Sequence, residues 1–139
     1  MNIVINNPEE INKIVGLIHD EWFEKDDVKF NASLASLEIK LKRENQADKR
    51  IIKRILFMKK LSVPIVESIL RISNVDHYQI EDTANIGRYD FNEIKYDVMG
   101  KIVSITSGFP LIINAKVKKF EVSLDDTGKV IEEKTFWSI

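Results

Sequence analysis

Apolar residues recur at three- and four-residue steps early in the chain, at Ile11, Ile14, Val15, Ile18 and Trp22, while Glu9, Lys13 and Asp20 face elsewhere. That spacing gathers one apolar stripe on a helix and predicts an amphipathic helix running to about Phe23. Asn7-Pro8-Glu9-Glu10 supplies its start. Asn7 caps free amides, Pro8 suits the first turn, and Glu10 completes an Asn-x-x-Glu capping box. Ile3 to Ile5 reads as a short strand before it.

After Phe23 the period changes from 3.6 to 2. Val28 and Phe30 lead into a turn at Asn31-Ala32-Ser33, and Leu37, Ile39 and Leu41 then alternate with Glu38, Lys40 and Lys42, which predicts a β-hairpin. Arg43 to Asp48 is polar and reads as a loop. Ile51 to Met58 is rich in apolar and β-branched residues, as a strand covered on much of both faces is, with a helix as the alternative. Pro64 punctuates the chain, and from Ile65 to Val75 a strand carries Val66, Ser68, Leu70 and Ile72 on one side. A second hairpin spans about Asp90 to Ser107, followed by a Ser107-Gly108-Phe109-Pro110 turn and a strand from Leu111. Phe120, Val122 and Leu124 alternate into Asp125-Asp126-Thr127-Gly128, a tight-turn sequence ahead of a last strand near Val130 to Trp137.

The two hairpins share a pattern. Asp27-Val28-Lys29-Phe30-Asn31 returns 66 positions later as Glu93-Ile94-Lys95-Tyr96-Asp97. Phe23 corresponds to Tyr89, Leu37 to Val103 and Ile39 to Ile105. The expected architecture is α+β: one N-terminal helix packed on a twisted, mainly antiparallel sheet built from two related hairpin units, about 22–41 and 88–107.

Composition narrows the class. A chain of 139 residues with 44% hydrophobic and 31% charged residues fits one globular domain, residues 1–139. It contains no cysteine, which removes disulfides, thiolate metal sites and cysteine nucleophiles together and fits a reducing compartment. No segment approaches the ~20 apolar residues of a membrane span, and the start has no signal-peptide pattern, so a cytoplasmic protein without a membrane partner is expected. The net charge of -1 conceals an uneven layout. Residues 40–60 hold nine Lys or Arg against Glu44 and Asp48, a local +7.

Chemistry-bearing patterns are sparse. His19-Asp20 offers metal-binding groups, but catalytic zinc usually takes three protein ligands, and His77 is distant in sequence. The ordinary roles are a favourable place in the last helical turn for His19 and hydrogen bonding of the following backbone for Asp20. The five glycines form neither a P-loop nor a dinucleotide fingerprint, and no Gly-x-Ser-x-Gly is present. No catalytic residue, metal ligand or cofactor is therefore expected. Trp22, Phe23, Tyr78, Tyr89 and Tyr96 belong to the core or line a pocket under the helix. Asn114, inside an apolar run, faces solvent or bonds a neighbouring backbone, with a buried functional amide as the alternative. Lys49, Arg50, Lys53, Arg54, Lys59 and Lys60 could follow phosphates, although in a strand Lys53 and Arg54 point to opposite faces.

Leu17-Ile18-His19-Asp20-Glu21-Trp22-Phe23, followed by Asp27-Val28-Lys29-Phe30-Asn31 and Leu37-Glu38-Ile39, resembles the opening of several groups of small, uncharacterised bacterial proteins. In these a helix ends in His-Asp and a β-hairpin follows; some are similar to immunity proteins that neutralise partner toxins. The resemblance covers about residues 10–42. It implies a non-enzymatic α+β protein and assigns no catalytic residue. The expected function is a protein-interaction or binding module, with His19, Asp20, Trp22, Lys53 and Arg54 as candidate binding residues and a monomer or homodimer as the state. The alternative is a nucleic-acid-binding protein using segment 40–60.

Overall fold

The computed structural model describes residues 1–83, 85–108 and 111–139. The elements are β1 (Asn2–Ile5), α1 (Ile11–Ile18), β2 (Trp22–Glu24), β3 (Val28–Asn31), β4 (Ser36–Glu44), β5 (Arg50–Ile55), β6 (Met58–Ile72), β7 (Val75–Asp82), β8 (Arg88–Asp97), β9 (Ile102–Ser107), β10 (Leu111–Val117) and β11 (Val122–Ser138). The strands join in one open sheet, in the order β1-β11-β6-β4-β2-β8-β9-β10-β7, with β3 added to β4 and β5 to β6. Every pairing is antiparallel. The sheet curls. β7, last in the order, returns to the β3–β4 hairpin, where the Val75 N–H donates to the Ala35 carbonyl at 2.8 Å and the Tyr78 ring lies 5.4 Å from Phe30.

One core collects the inward positions of this sheet and the stripe of α1. Leu37, Ile39 and Leu41 of β4, Leu70 and Ile72 of β6, Tyr89 and Phe91 of β8, and Ile14 and Ile18 of α1 are all buried in it. Helix α1 starts as the sequence suggests, with Asn7 Oδ1 accepting the Glu9 N–H at 3.0 Å after a single 3-10 turn from Pro8 to Glu10. The Glu10 carboxylate does not complete a capping box, because it pairs with Lys13. The helix also stops at Ile18, short of the expected Phe23. A left-handed Asp20 (φ 67°) turns the chain, so Trp22 and Phe23 enter a strand and Phe23 pairs across to Tyr89.

The two hairpins have equivalent registers. In the first, Val28 opposes Ile39 and Phe30 opposes Leu37; in the second, Ile94 opposes Ile105 and Tyr96 opposes Val103. Each turn has a left-handed residue at the matched position, Ala35 (φ 49°) and Lys101 (φ 53°). Each of those carbonyls accepts a valine N–H from a later strand, Val75 at 2.8 Å and Val117 at 2.9 Å.

Several boundaries differ from expectation. The polar stretch 43–48 is the end of β4 followed by a 3-10 turn at Gln46–Asp48. Residues 51–58 are neither one covered strand nor a helix: β5 ends at Ile55, and Met58 begins β6 after a two-residue turn. Pro64 interrupts nothing. Its carbonyl accepts the Asn45 N–H where β6 changes neighbour from β5 to β4, so the missing proline N–H falls in a gap in the ladder. Asp125 to Gly128 is not a hairpin either. Both flanks pair with β6 in one direction, and the extra residues form a bulge with Gly128 at φ 86°. Phe109 and Pro110 of the expected Ser107–Pro110 turn lie outside the described residues.

The long strands β6 and β11 run past the core and, with β5, form a three-stranded arm. Ile51, Ile52, Ile55, Leu56, Phe57, Met58, Phe136 and Trp137 are exposed on it.

Candidate functional site

Where α1 ends, backbone hydrogen bonds fasten the His19-Asp20-Glu21 turn to the sheet. The His19 N–H donates to Val15 O at 2.9 Å and the Asp20 N–H to Phe91 O at 2.8 Å; the Phe91 N–H returns a bond to Glu21 O at 2.7 Å. The turn holds Glu21 between two clefts of about 480 and 470 Å³, both of which it lines together with Glu44. His19, Arg43 and Asp126 also line the first cleft, whereas Trp22, Lys42, Arg88 and Lys134 line the second.

Arg43 anchors the first cleft. It is buried, and its Nη2 reaches both Asp126 carboxylate oxygens at 2.9 Å while Nε donates to Ser68 Oγ at 3.3 Å. The Ser68 hydroxyl donates in turn to Asp126 Oδ1 at 2.6 Å. Burial pushes the Asp126 carboxyl up, but the Ser68 hydroxyl and the Arg43 guanidinium more than offset it and hold it below its ordinary range. Glu21 goes the other way. Burial raises its carboxyl to about 7; the Glu44 backbone N–H, at 3.3 Å, opposes the rise and the Glu44 charge adds to it. Glu21 can thus take up or release a proton near neutrality between the two clefts. Among the described residues, those lining the two clefts include no serine, threonine or cysteine.

Trp22 is the centre of the second cleft. The Arg88 guanidinium lies 3.9 Å from its ring centroid and the Lys42 ammonium 5.0 Å, both within cation–π range. Lys42 also bonds Asp27 at 2.5 Å, and Lys134 bonds Glu44 at 2.6 Å. The result is an aromatic platform ringed by both signs of charge. This combination of Trp and Arg is enriched among residues that dominate protein interfaces.

The structure brings His19, Asp20 and Trp22 to one corner and leaves Lys53 and Arg54 on the arm, on a different part of the sheet. His19 Nδ1 lies 3.2 Å from Asp20 Oδ2, and both side chains are largely exposed. They meet because both lie beyond the helix, where the 100° step between successive helical residues no longer applies. The Asp20 side chain therefore faces His19 rather than organising the following backbone. Among the described residues no group of three His, Asp or Glu converges as a metal site. His77 is elsewhere, in a polar cleft of about 300 Å³ with Asp97 and Asn114. There Asn114 Oδ1 accepts the Ser104 hydroxyl at 2.6 Å, so its partner is a side chain and not backbone. Phe23 and Tyr89 join the core, while Tyr78 stays partly exposed against Phe30.

Glu21, Arg43, Arg88 and Asp126 were not among the candidates. For two of them a signal existed in the alternation. Arg43 continues Leu37-Ile39-Leu41 and Asp126 continues Val122-Leu124, so both occupy core-facing positions that strand period assigns to apolar side chains. With Ser68, inside Val66-Leu70-Ile72, they are three polar residues on inward faces, and they bond one another. Arg88 and Glu21 carry no such mark. Comparison with protein-family models, curated proteins and solved structures found no match to this chain.

Proposed function

We propose that this protein is a non-enzymatic protein-interaction module, immunity-like in kind, whose docking surface is the face around Trp22. The observation carrying this reading is the indole held against Arg88 at 3.9 Å and Lys42 at 5.0 Å, beside a cleft lined by acids and bases. Such a surface offers a partner a rigid apolar anchor together with charges that set its orientation. The two hairpins, on this reading, are copies of one unit. Their equal registers and matched left-handed turn residues support that relation.

The test is capture of a partner from the native cell by the wild-type chain and by Trp22→Ala and Arg88→Ala. Loss of a hot-spot residue weakens binding roughly thirtyfold. Lys116→Ala, on the exposed side of β10, is the control expected to leave binding intact. A partner held equally well by all three variants rejects the Trp22 face, and a toxin encoded beside this gene supports the immunity-like kind. The nucleic-acid alternative would use Lys49, Arg50, Lys53, Arg54, Lys59 and Lys60. It predicts affinity for generic DNA or RNA that falls steeply with salt, and an absence of binding at low salt removes it.

A further inference from the structure

We propose that the tip of the arm is a docking site for an anionic lipid surface. It is independent of the Trp22 face and rests on three observations. The first is the turn itself. Ile55 pairs with Met58, so Leu56 and Phe57 alone close the hairpin, and they are 92% and 77% exposed. Leu56 is left-handed at φ 53°, a turn position that normally belongs to Gly or Asn. Two large apolar side chains thus stand in water at a place where local chemistry favours small or polar ones.

The second observation is charge. Behind the turn, Lys53 lies opposite Lys60 and Arg54 opposite Lys59. Like charges directly across a ladder repel. No acidic residue occurs from Lys49 to Val66, or after Glu133 on the neighbouring strand. Among the described residues, none of these four cations has an ion-pair partner. Cross-strand partners share a face, so the Lys53–Lys60 pair is on one side of the ribbon and the Arg54–Lys59 pair on the other. A cationic collar therefore surrounds the apolar tip.

The third is the aromatic pair. Trp137 sits beside Lys60, whose ammonium lies 5.9 Å from the ring, and Phe136 pairs with Leu61 on the opposite face. Of the two, Trp137 is the amphipathic ring, and an indole set behind an apolar tip occupies the headgroup level of a bilayer. From the collar to the turn is about two residues, or roughly 7 Å, within the ~5–10 Å depth to which interfacial segments bury their apolar groups. Anionic headgroups meet the collar while the hydrocarbon boundary receives Leu56 and Phe57.

A duplex nucleic acid fits less well. The major groove, about 12 Å wide, admits a two-stranded ribbon, whereas β11 accompanies this hairpin as a third strand as far as the Ser138–Lys59 pair. The tip is aliphatic as well as aromatic, and so is better suited to hydrocarbon than to base stacking.

The experiment is co-sedimentation of the full chain with vesicles of phosphatidylcholine alone and of phosphatidylcholine mixed with phosphatidylglycerol. Binding is expected only to the mixed vesicles, declining with added salt. The double substitution Leu56→Asn, Phe57→Gly installs a favourable turn sequence, so it keeps the hairpin while removing the wedge; it should lower binding at least tenfold. Lys53→Gln and Lys60→Gln should each lower it about fivefold. Failure to bind mixed vesicles, or unchanged binding by the turn variant, overturns the proposal. So does tighter binding to generic duplex DNA than to the vesicles. A dimer in sedimentation velocity that the turn variant abolishes, with no vesicle binding, assigns the tip to a second copy of the chain and overturns it as well.

Discussion

Strands β6 and β11 lie side by side through two different surroundings. From Leu70 to Ile72 they pair with Leu124 to Val122 over the core, where Leu70, Ile72, Val122 and Leu124 are all buried. From Lys59 to Leu61 the same two strands continue, paired with Ser138 to Phe136, and there only Leu61 is buried while Phe136 and Trp137 are exposed and Lys59, Lys60 and Ser138 are half-buried. Backbone pairing is the same in kind in both stretches. What differs is a covering layer: the body has α1 and the rest of the curled sheet opposite its inner face, and the end of the arm has only its own three strands. A hydrogen-bonded ladder therefore establishes that a strand exists without establishing what its side chains touch.

The largest expected effect that tests this contrast is in the body. Phe91→Ala removes a fully buried ring from the core and should destabilise by about 3–5 kcal/mol in urea denaturation. Arg43→Ala removes the buried guanidinium that binds both Asp126 and Ser68, leaving Asp126 the Met1 ammonium at 3.4 Å as its cation, and should cost about 3 kcal/mol. A loss below about 1 kcal/mol would place that pair, energetically, with the exposed ones.

Glu21 gives a smaller, pH-dependent effect. Its folded carboxyl keeps the proton up to about pH 7, while the unfolded chain releases it near the ordinary value of 4.5. Folding therefore loses stability from this group as pH rises from 4.5 to 7, and the loss is complete above 7. Allowing for partial exposure, Glu21→Gln should stabilise the protein by about 1–2 kcal/mol at pH 8 and leave it unchanged below pH 4.5. Denaturation curves at the two pH values decide it, and an equal effect at both would mean that ionisation is not the cause.

The smallest effect belongs to the arm. Phe57→Ser should change stability by no more than about 0.5 kcal/mol, because the ring has almost no contact to lose. If that substitution destabilises as much as Phe91→Ala, the distinction between body and arm fails.

Much of this fold was legible in particular residues. The alternation through Leu37, Ile39 and Leu41 marked β4 and its buried face, and the Asn7 cap marked the start of α1. The end of α1 was not legible, since Trp22 satisfies helical spacing as well as it satisfies a strand. Nor was the continuity of β11, because Asp125-Asp126-Thr127-Gly128 serves a tight turn and a bulge equally well, and its role depends on where β6 runs. At the candidate site, His19, Asp20 and Trp22 carried a signal in their side-chain types, an imidazole beside a carboxylate and an indole. Arg88 and Glu44 could not, because each joins Trp22 or Glu21 only across strands distant in sequence.

By itself, the amino-acid order determined the local periods: one amphipathic helix, strands with alternating faces, and a five-residue pattern that recurs 66 residues on. These follow from the geometry of a single segment, in which the positions of neighbouring side chains depend only on the backbone repeat. Tertiary structure alone decided which apolar faces are sealed, that Glu21 lies between two clefts, and that the apolar run 51–58 bends into an exposed tip instead of entering the core. Burial is a relation between segments. Whether Leu70 is covered and Leu56 is bare depends on what other parts of the chain place opposite them, and no local pattern contains that information.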